Sequence, residues 1–250
     1  MFTYIAGYTA TTRQDESETR ESKKAVWIEA GPDAGLTWGK IISGDAFIQK
    51  AQTYGVFHER ARILEIGSGY GRLLSSMLSA NVPFQRYTGL DISERNIKYL
   101  EQKFASEPRA NFVNGDAESI TLSEKYTAII SSLTLKHFYP TFERGLANTS
   151  KFLTDEGILL FDLWYIWWLN QIPPLVQSAV KRPTALWSMA RSGGVVDSSG
   201  KGSLKSYRRK EVVEILRRIG FKNITFDEVI HEKQKRRLLV VARRGKETKR

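Results

Sequence analysis

The sequence predicts an α/β fold built on a largely parallel sheet. Three observations support that class. Short β-rich runs alternate with helical stretches from residue 61 to residue 163. The first run passes straight into a glycine-dense turn that opens a helix. The last two runs are joined by only six residues, 231–236, a connection that can link antiparallel strands but not parallel ones.

Taken in order, residues 11–24 (TTRQDESETRESKK) mix charges of both signs without an apolar period, and residues 1–24 are expected to be a mobile segment. Residues 25–60 turn aromatic and apolar and are expected to cap the domain, with a helix over Asp45–Tyr54 stopped by Gly55. The domain proper is expected over 61–244. Its strands are predicted at 61–67, 86–92, 110–115, 126–131 and 157–163, with helices around 71–80, 93–105 and 141–153. Residues 207–220 repeat Val212, Val213, Ile215, Leu216 and Ile219 at helical spacing before Gly220. Strands at 223–230 and 237–242 close the domain, and a basic tail follows at 245–250. Residues 164–206 interrupt this rhythm with four of the six tryptophans, Pro173-Pro174 and a Gly/Ser-rich stretch, and read as a helical insertion or lid.

Composition narrows the function. The 250 residues, 41% apolar and 26% charged, are enough for a real core. No cysteine is present, which excludes disulfides, Cys-ligated zinc, iron–sulfur clusters and a thiol nucleophile. Three scattered histidines predict no metal site. The longest apolar run, Ile158–Leu169, carries Asp162 and is too short to span a bilayer. The N-terminus lacks a signal-peptide layout, so a cytoplasmic location is expected. The net charge of +11 lies entirely in residues 201–250, which hold 17 Lys and Arg against 6 Asp and Glu.

The sharpest motif is Glu65-Ile66-Gly67-Ser68-Gly69-Tyr70-Gly71-Arg72. Glycine permits a left-handed backbone and close approach of a ligand, and the helix start presents unpaired N–H groups. A dinucleotide fingerprint would need glycine where Arg72 stands, and no Gly-Lys-Ser/Thr occurs for a phosphate loop. The carboxylate of Glu65 would oppose a pyrophosphate and suits a ligand bearing cations. Asp91 closes the second strand, where a carboxylate can accept ribose hydroxyls. Asp116 follows the third, where it can accept from an adenine amine. Both therefore lie on the carboxyl edge of the sheet, where open α/β sheets bind ligands.

From about Ala61 to Arg243, apart from the insertion, the chain resembles the class I S-adenosylmethionine-dependent methyltransferases of the small-molecule type. The resemblance implies a seven-stranded Rossmann-like sheet with a reversed final strand, and S-adenosylmethionine as cofactor. Carried onto this sequence, the cofactor residues are Glu65, Gly67, Ser68, Gly69, Gly71, Asp91, Ile92, Asp116, Ala117 and Ser132. His137, after the fourth strand, is similar to a residue that serves small-molecule members as a base or in positioning substrate.

Methyl transfer to a small metabolite at oxygen or nitrogen is the activity this implies. Asp/Asn/Ser-Pro-Pro-Tyr, the box of base-directed aminomethyltransferases, is absent, and cytosine-C5 methylation needs a cysteine. Two readings stand beside it: an RNA 2′-O-methyltransferase using the basic C-terminal region, and a cofactor-binding accessory subunit. The basic run at Tyr207, Arg208, Arg209 and Lys210 sits at a helix start, where cations oppose the dipole. It predicts, with the 231–236 turn, an anionic partner at the mouth of the site. Trp164 and Trp168 are expected to line an apolar acceptor pocket, so an amphiphilic acceptor and peripheral membrane contact are both open.

Overall fold

The computed structural model describes residues 13–33, 43–164, 196–197, 203–204, 207–231 and 235–245. Seven strands form one sheet: β1 (Arg62–Ile66), β2 (Arg86–Asp91), β3 (Ala110–Asn114), β4 (Tyr126–Ser131), β5 (Leu153–Trp164), β6 (Asn223–His231) and β7 (Lys235–Arg243). Their order is β3-β2-β1-β4-β5-β7-β6. All contacts from β3 to β5 are parallel, and β7 is antiparallel to both of its neighbours. The reversed final strand is thus present, inserted between β5 and β6.

The helices are α1 (Arg13–Ile28), α2 (Asp45–Thr53), α3 (Arg72–Ser79), α4 (Glu94–Lys103), α5 (Glu143–Thr149) and α6 (Arg209–Arg218). Strand alternation divides the core in two. Ile63, Tyr87, Ile130, Leu160 and Leu239 pack on one face with Phe47 and Ile48 of α2, Leu73 and Met77 of α3, and Leu100 of α4. Leu64, Leu90, Ile129, Phe161 and Val240 pack on the other with Leu146 of α5 and Val212 and Leu216 of α6. Both faces are covered, which is why the central strands read as nearly continuous apolar runs. β5 begins earlier than its sequence suggests. Tyr126 opposes Leu153 and Ala128 opposes Ile158, so the pairing shifts across Asp155-Glu156-Gly157.

One expectation gains detail and another is left outside the described residues. The polar stretch before Ala25 carries a helix, α1, over Arg13–Ile28. It lacks a visible apolar period because its described side chains are held largely by ion pairs, set out below. The expected lid over 164–206 lies mostly outside the described residues; within it, Val196–Asp197 pairs antiparallel with Ser203–Leu204. Among the described residues no helix is long and apolar enough to cross a membrane, and no cluster of ligating side chains suits a metal ion.

Candidate cofactor and acceptor site

The parallel strands bring the ends of β1 to β5 to one edge of the sheet, and the site is built there. Leaving β1, Gly67, Gly69 and Gly71 all have left-handed backbones, with φ of +73°, +55° and +78°. A Cβ at Gly67 would stand 2.2 Å from the Thr134 methyl and one at Gly71 would stand 2.4 Å from the Phe104 ring, so neither position accepts a side chain. At Gly69 the same volume is open. Gly67 and Ser68 donate their N–H groups to Leu90 O at 2.7 and 3.1 Å, pinning the loop to the end of β2.

Asp91 finishes that strand and organises the turn. One carboxylate oxygen accepts Gly69 N–H at 2.8 Å, and the other accepts Ser93 N–H at 2.9 Å and the Asn96 amide at 3.2 Å. Burial pushes its carboxyl up from the ordinary range, and these donors pull it back. Ile92 and Ala117 flank the next position along the edge, with Ile92 O and Asp91 O both accepting from the Asn114 amide.

Glu65 is corrected. Alternation on β1 turns it onto the face of α3 and buries it, where the Tyr87 hydroxyl donates to it in a short hydrogen bond. Burial raises its pKa to about 8, so at neutral pH it is mostly the protonated acid and exerts little of the attraction for cations that the sequence suggests. Asp116 lies where predicted, after β3, but it already holds a cation: Lys24 of α1 reaches it at 2.6 Å and Glu118 at 2.9 Å. Arg20 adds a longer contact to Glu118 at 3.8 Å, and Ser93 donates to Ala30 O. Trp27 packs against His137 in a tilted ring contact, with centroids 4.4 Å apart. Thus α1 and the turn after it lie across the ends of β2, β3 and β4.

Beyond β4 the site is built from charge. Asp162, 1% exposed on β5, accepts the Ser132 hydroxyl at 2.6 Å and Leu133 N–H at 2.8 Å. Ser132 in turn accepts from Arg72 at 2.7 Å, so its hydroxyl is engaged on both sides. Leu133 has φ of +66°, a left-handed conformation that costs a non-glycine residue about 1–2 kcal/mol. Such strain collects at functional edges. Lys136 and Arg237 sit in the same electrostatic neighbourhood. Burial, then repulsion from Arg237, brings the Lys136 pKa down to about 7, against attraction from Asp162. Burial also lowers Arg237, again opposed by Asp162.

The basic helix start divides. Arg208 caps α6, Arg209 lies with its guanidinium 5.4 Å from the Phe226 ring centroid, and Lys210 is exposed. Tyr207 is corrected: it is 2% exposed and packed on Phe142, whose N–H donates to its hydroxyl at 3.1 Å, so it belongs to the core. Trp164 ends β5 opposite Arg237, but its side chain, like Trp168 and the 232–234 turn, lies outside the described residues. The sequence reading missed Lys24, Arg72, Asp162 and Arg237. One signal was available for Asp162, a lone carboxylate inside an apolar strand.

Residues 64–159 match the family described as a methyltransferase domain. That stretch, under half of the chain, is similar to a methyltransferase domain. It is 32% identical over 100 residues to a phthiotriol/phenolphthiotriol dimycocerosates methyltransferase of Mycobacterium ulcerans, covering 40% of this chain and 36% of that protein. A malonyl-[acyl-carrier protein] O-methyltransferase of Chlorobium luteolum is 30% identical over 131 residues, covering 48% of this chain and 49% of that one. The chain therefore spans less than half the length of these curated relatives in the matched region. Among solved structures, the domain's fold is shared by the glycopeptide N-methyltransferase MtfA complexed with sinefungin, at a TM-score of 0.60 and 17% identity, covering 82% of this chain and 87% of that one. It is shared as well by the Burkholderia thailandensis 1,6-didemethyltoxoflavin-N1-methyltransferase, at a TM-score of 0.57 and 17% identity, covering 96% and 89%.

S-adenosylmethionine is the cofactor these residues fit. The space beside Gly69 is open, and the Ser68 hydroxyl is buried without a hydrogen-bond partner. Asp91 retains lone-pair capacity for ribose hydroxyls after its three N–H contacts.

Proposed function

We propose that this domain transfers the methyl group of S-adenosylmethionine to oxygen or nitrogen of a small, anionic or amphiphilic metabolite. The observation that carries the proposal is the Gly69–Asp91 hydrogen bond, which joins the glycine turn to the ribose-accepting strand end at the carboxyl edge of the sheet. The two curated relatives are named for phthiotriol/phenolphthiotriol dimycocerosates and for malonyl-[acyl-carrier protein], and the two structural neighbours for N-methylation.

In mechanism, the cofactor supplies an electrophilic methyl group. The chain's task is to hold an acceptor in line with it and to keep water out. Gly67, Ser68, Gly69 and Gly71 shape the seat, Asp91 accepts from the sugar, and Asp116 accepts from the purine amine, with Lys24 sharing that carboxylate. His137, held on a 3₁₀ turn after β4 and packed against Trp27, faces the task of receiving or orienting the acceptor's proton.

Incubation with methyl-labelled cofactor and fractionated cell extract tests the proposal. Label in the small-molecule fraction is expected. Label confined to RNA would replace the acceptor class, and cofactor binding without transfer into any fraction would contradict catalysis.

A further inference from the structure

The amino edge of the sheet, opposite the edge that carries the site, is lined by cations. Strands β4, β5, β7 and β6 are consecutive neighbours. Each has a basic residue within two residues of its end on this edge: Lys125 before β4, Lys151 before β5, Arg244 after reversed β7 and Lys222 before β6. Hydrogen bonds to the main chain join them into one row. Lys125 Nζ donates to Lys151 O at 2.6 Å, Arg244 donates to Ser150 O at 2.7 Å, and Lys222 N–H donates to Arg243 O at 3.1 Å. With strands about 4.8 Å apart, the row is about 14 Å long.

These cations are held in place with their charge unspent. Lys125, Lys151 and Lys222 are exposed, and Arg244 is half-buried with its guanidinium 5.8 Å from the Phe221 ring centroid. Among the described residues, the side chains of Lys125, Lys151 and Arg244 reach main-chain carbonyls and the Asn148 amide oxygen, not carboxylates. Exposed Arg217, in the last turn of α6, and exposed Arg243 extend the basic surface. Of the acids along these strand ends, Glu124 is taken by Arg86 at 2.6 Å, which leaves exposed Asp155 and Glu156 at the pairing shift in β5.

A row one cation wide fits a chain of phosphates one deep. A membrane or a duplex would press a broad anionic face onto Asp155 and Glu156 as well. Among the described residues the exposed large apolar side chains, Ile28 and Ile230, lie away from this edge, so none of them would enter a bilayer here. We propose that Lys125, Lys151, Lys222 and Arg244 form a docking surface for single-stranded nucleic acid, held by its phosphodiester backbone without regard to base sequence. The strands put about 15–20 Å between this edge and the glycine turn. The bound strand is therefore an anchor and not a methyl acceptor, and the surface stands whether or not the chain transfers a methyl group.

Fluorescence anisotropy of the whole protein with a fluorescein-labelled uridine oligonucleotide of about 15 nucleotides tests this. About four phosphate contacts to a single strand give a slope of about −3 in log K against log salt, a loss of about 50-fold between about 50 and 200 mM. Adenosine and deoxythymidine oligomers should bind within about threefold of it. Lys125→Gln, Lys151→Gln and Lys222→Gln should each flatten the slope by about 0.7, and the triple variant, made only at exposed positions, should leave about −0.7. Lys210→Gln, which removes the same charge from the start of α6 at the opposite edge, should change nothing. Asp155→Asn combined with Glu156→Gln should tighten binding. No saturable binding at about 50 mM salt, a triple variant that binds as the native protein does, or equal weakening by Lys210→Gln would overturn the docking surface. Binding to phosphatidylserine vesicles with none to the oligonucleotides would overturn it as well.

Discussion

The ends of β1 and β2 and the ends of β4, β5 and β7 share one sheet edge, yet they are built in opposite ways. The first half is backbone: three left-handed glycines, N–H groups on Leu90 O, and one carboxylate receiving three donors. The second is side chain: Arg72, Lys136 and Arg237 around Asp162, with Leu133 held in a strained conformation. A backbone cradle places donors and acceptors without charge, whereas a cluster of buried charges depends on its members being paired with one another. The difference teaches that one sheet edge can be shaped by backbone in one half and by buried side-chain charge in the other.

Four substitutions can break or sharpen that contrast. Asp162→Ala should have the largest effect on stability, about 3–5 kcal/mol in urea denaturation, because it strands buried cations and frees strained Leu133. A loss below 1 kcal/mol would mean that the cluster is hydrated and not a buried charge system. Gly67→Ala comes next: the new methyl must displace Thr134 in a left-handed backbone, at about 2 kcal/mol of stability. It should abolish detectable binding of S-adenosylhomocysteine, whereas Gly69→Ala, with open space around it but a left-handed backbone, should cost about 1 kcal/mol of stability and still lose binding.

Glu65→Gln sharpens the contrast through pH. The native pKa of Glu65, about 8, lies above its ordinary 4.5, so its stabilising share is complete below that ordinary value and is lost as pH rises towards about 8. The Tm of the variant relative to the native protein should therefore climb across that window. A flat difference would show that Glu65 is ionised and solvated in the folded state. Lys24→Gln should act least. Its ion pairs with Asp116 and Glu118 are partly exposed, so about 1 kcal/mol or less of α1 docking is at stake. Faster proteolysis within residues 13–28 is the expected readout, with cofactor affinity altered no more than about threefold.

How much could be read from sequence follows the same division. The glycine turn, Asp91 and Asp116 are legible because each is fixed by its place at a strand end, and the strands themselves are marked by local apolar runs. The reversed hairpin is legible from its short connection. The charged half is not, since residues 136, 162 and 237 meet only through the β4–β5–β7 pairing and Arg72 joins them from another helix. The helix α1 escaped because Lys24 and Arg20 are satisfied by acids about 90 residues away along the chain. Tyr207 was misplaced for a related reason: its basic neighbours suggest a surface, while Phe142 and Phe161 draw it inward.

The most direct test of the central claim is calorimetric titration of S-adenosylhomocysteine into the native protein and into Asp91→Ala. The account predicts saturable binding at one site per chain, weakened about 10- to 100-fold in the variant, the range expected for losing charged hydrogen bonds. No binding to the native protein, or equal binding to both, would contradict it.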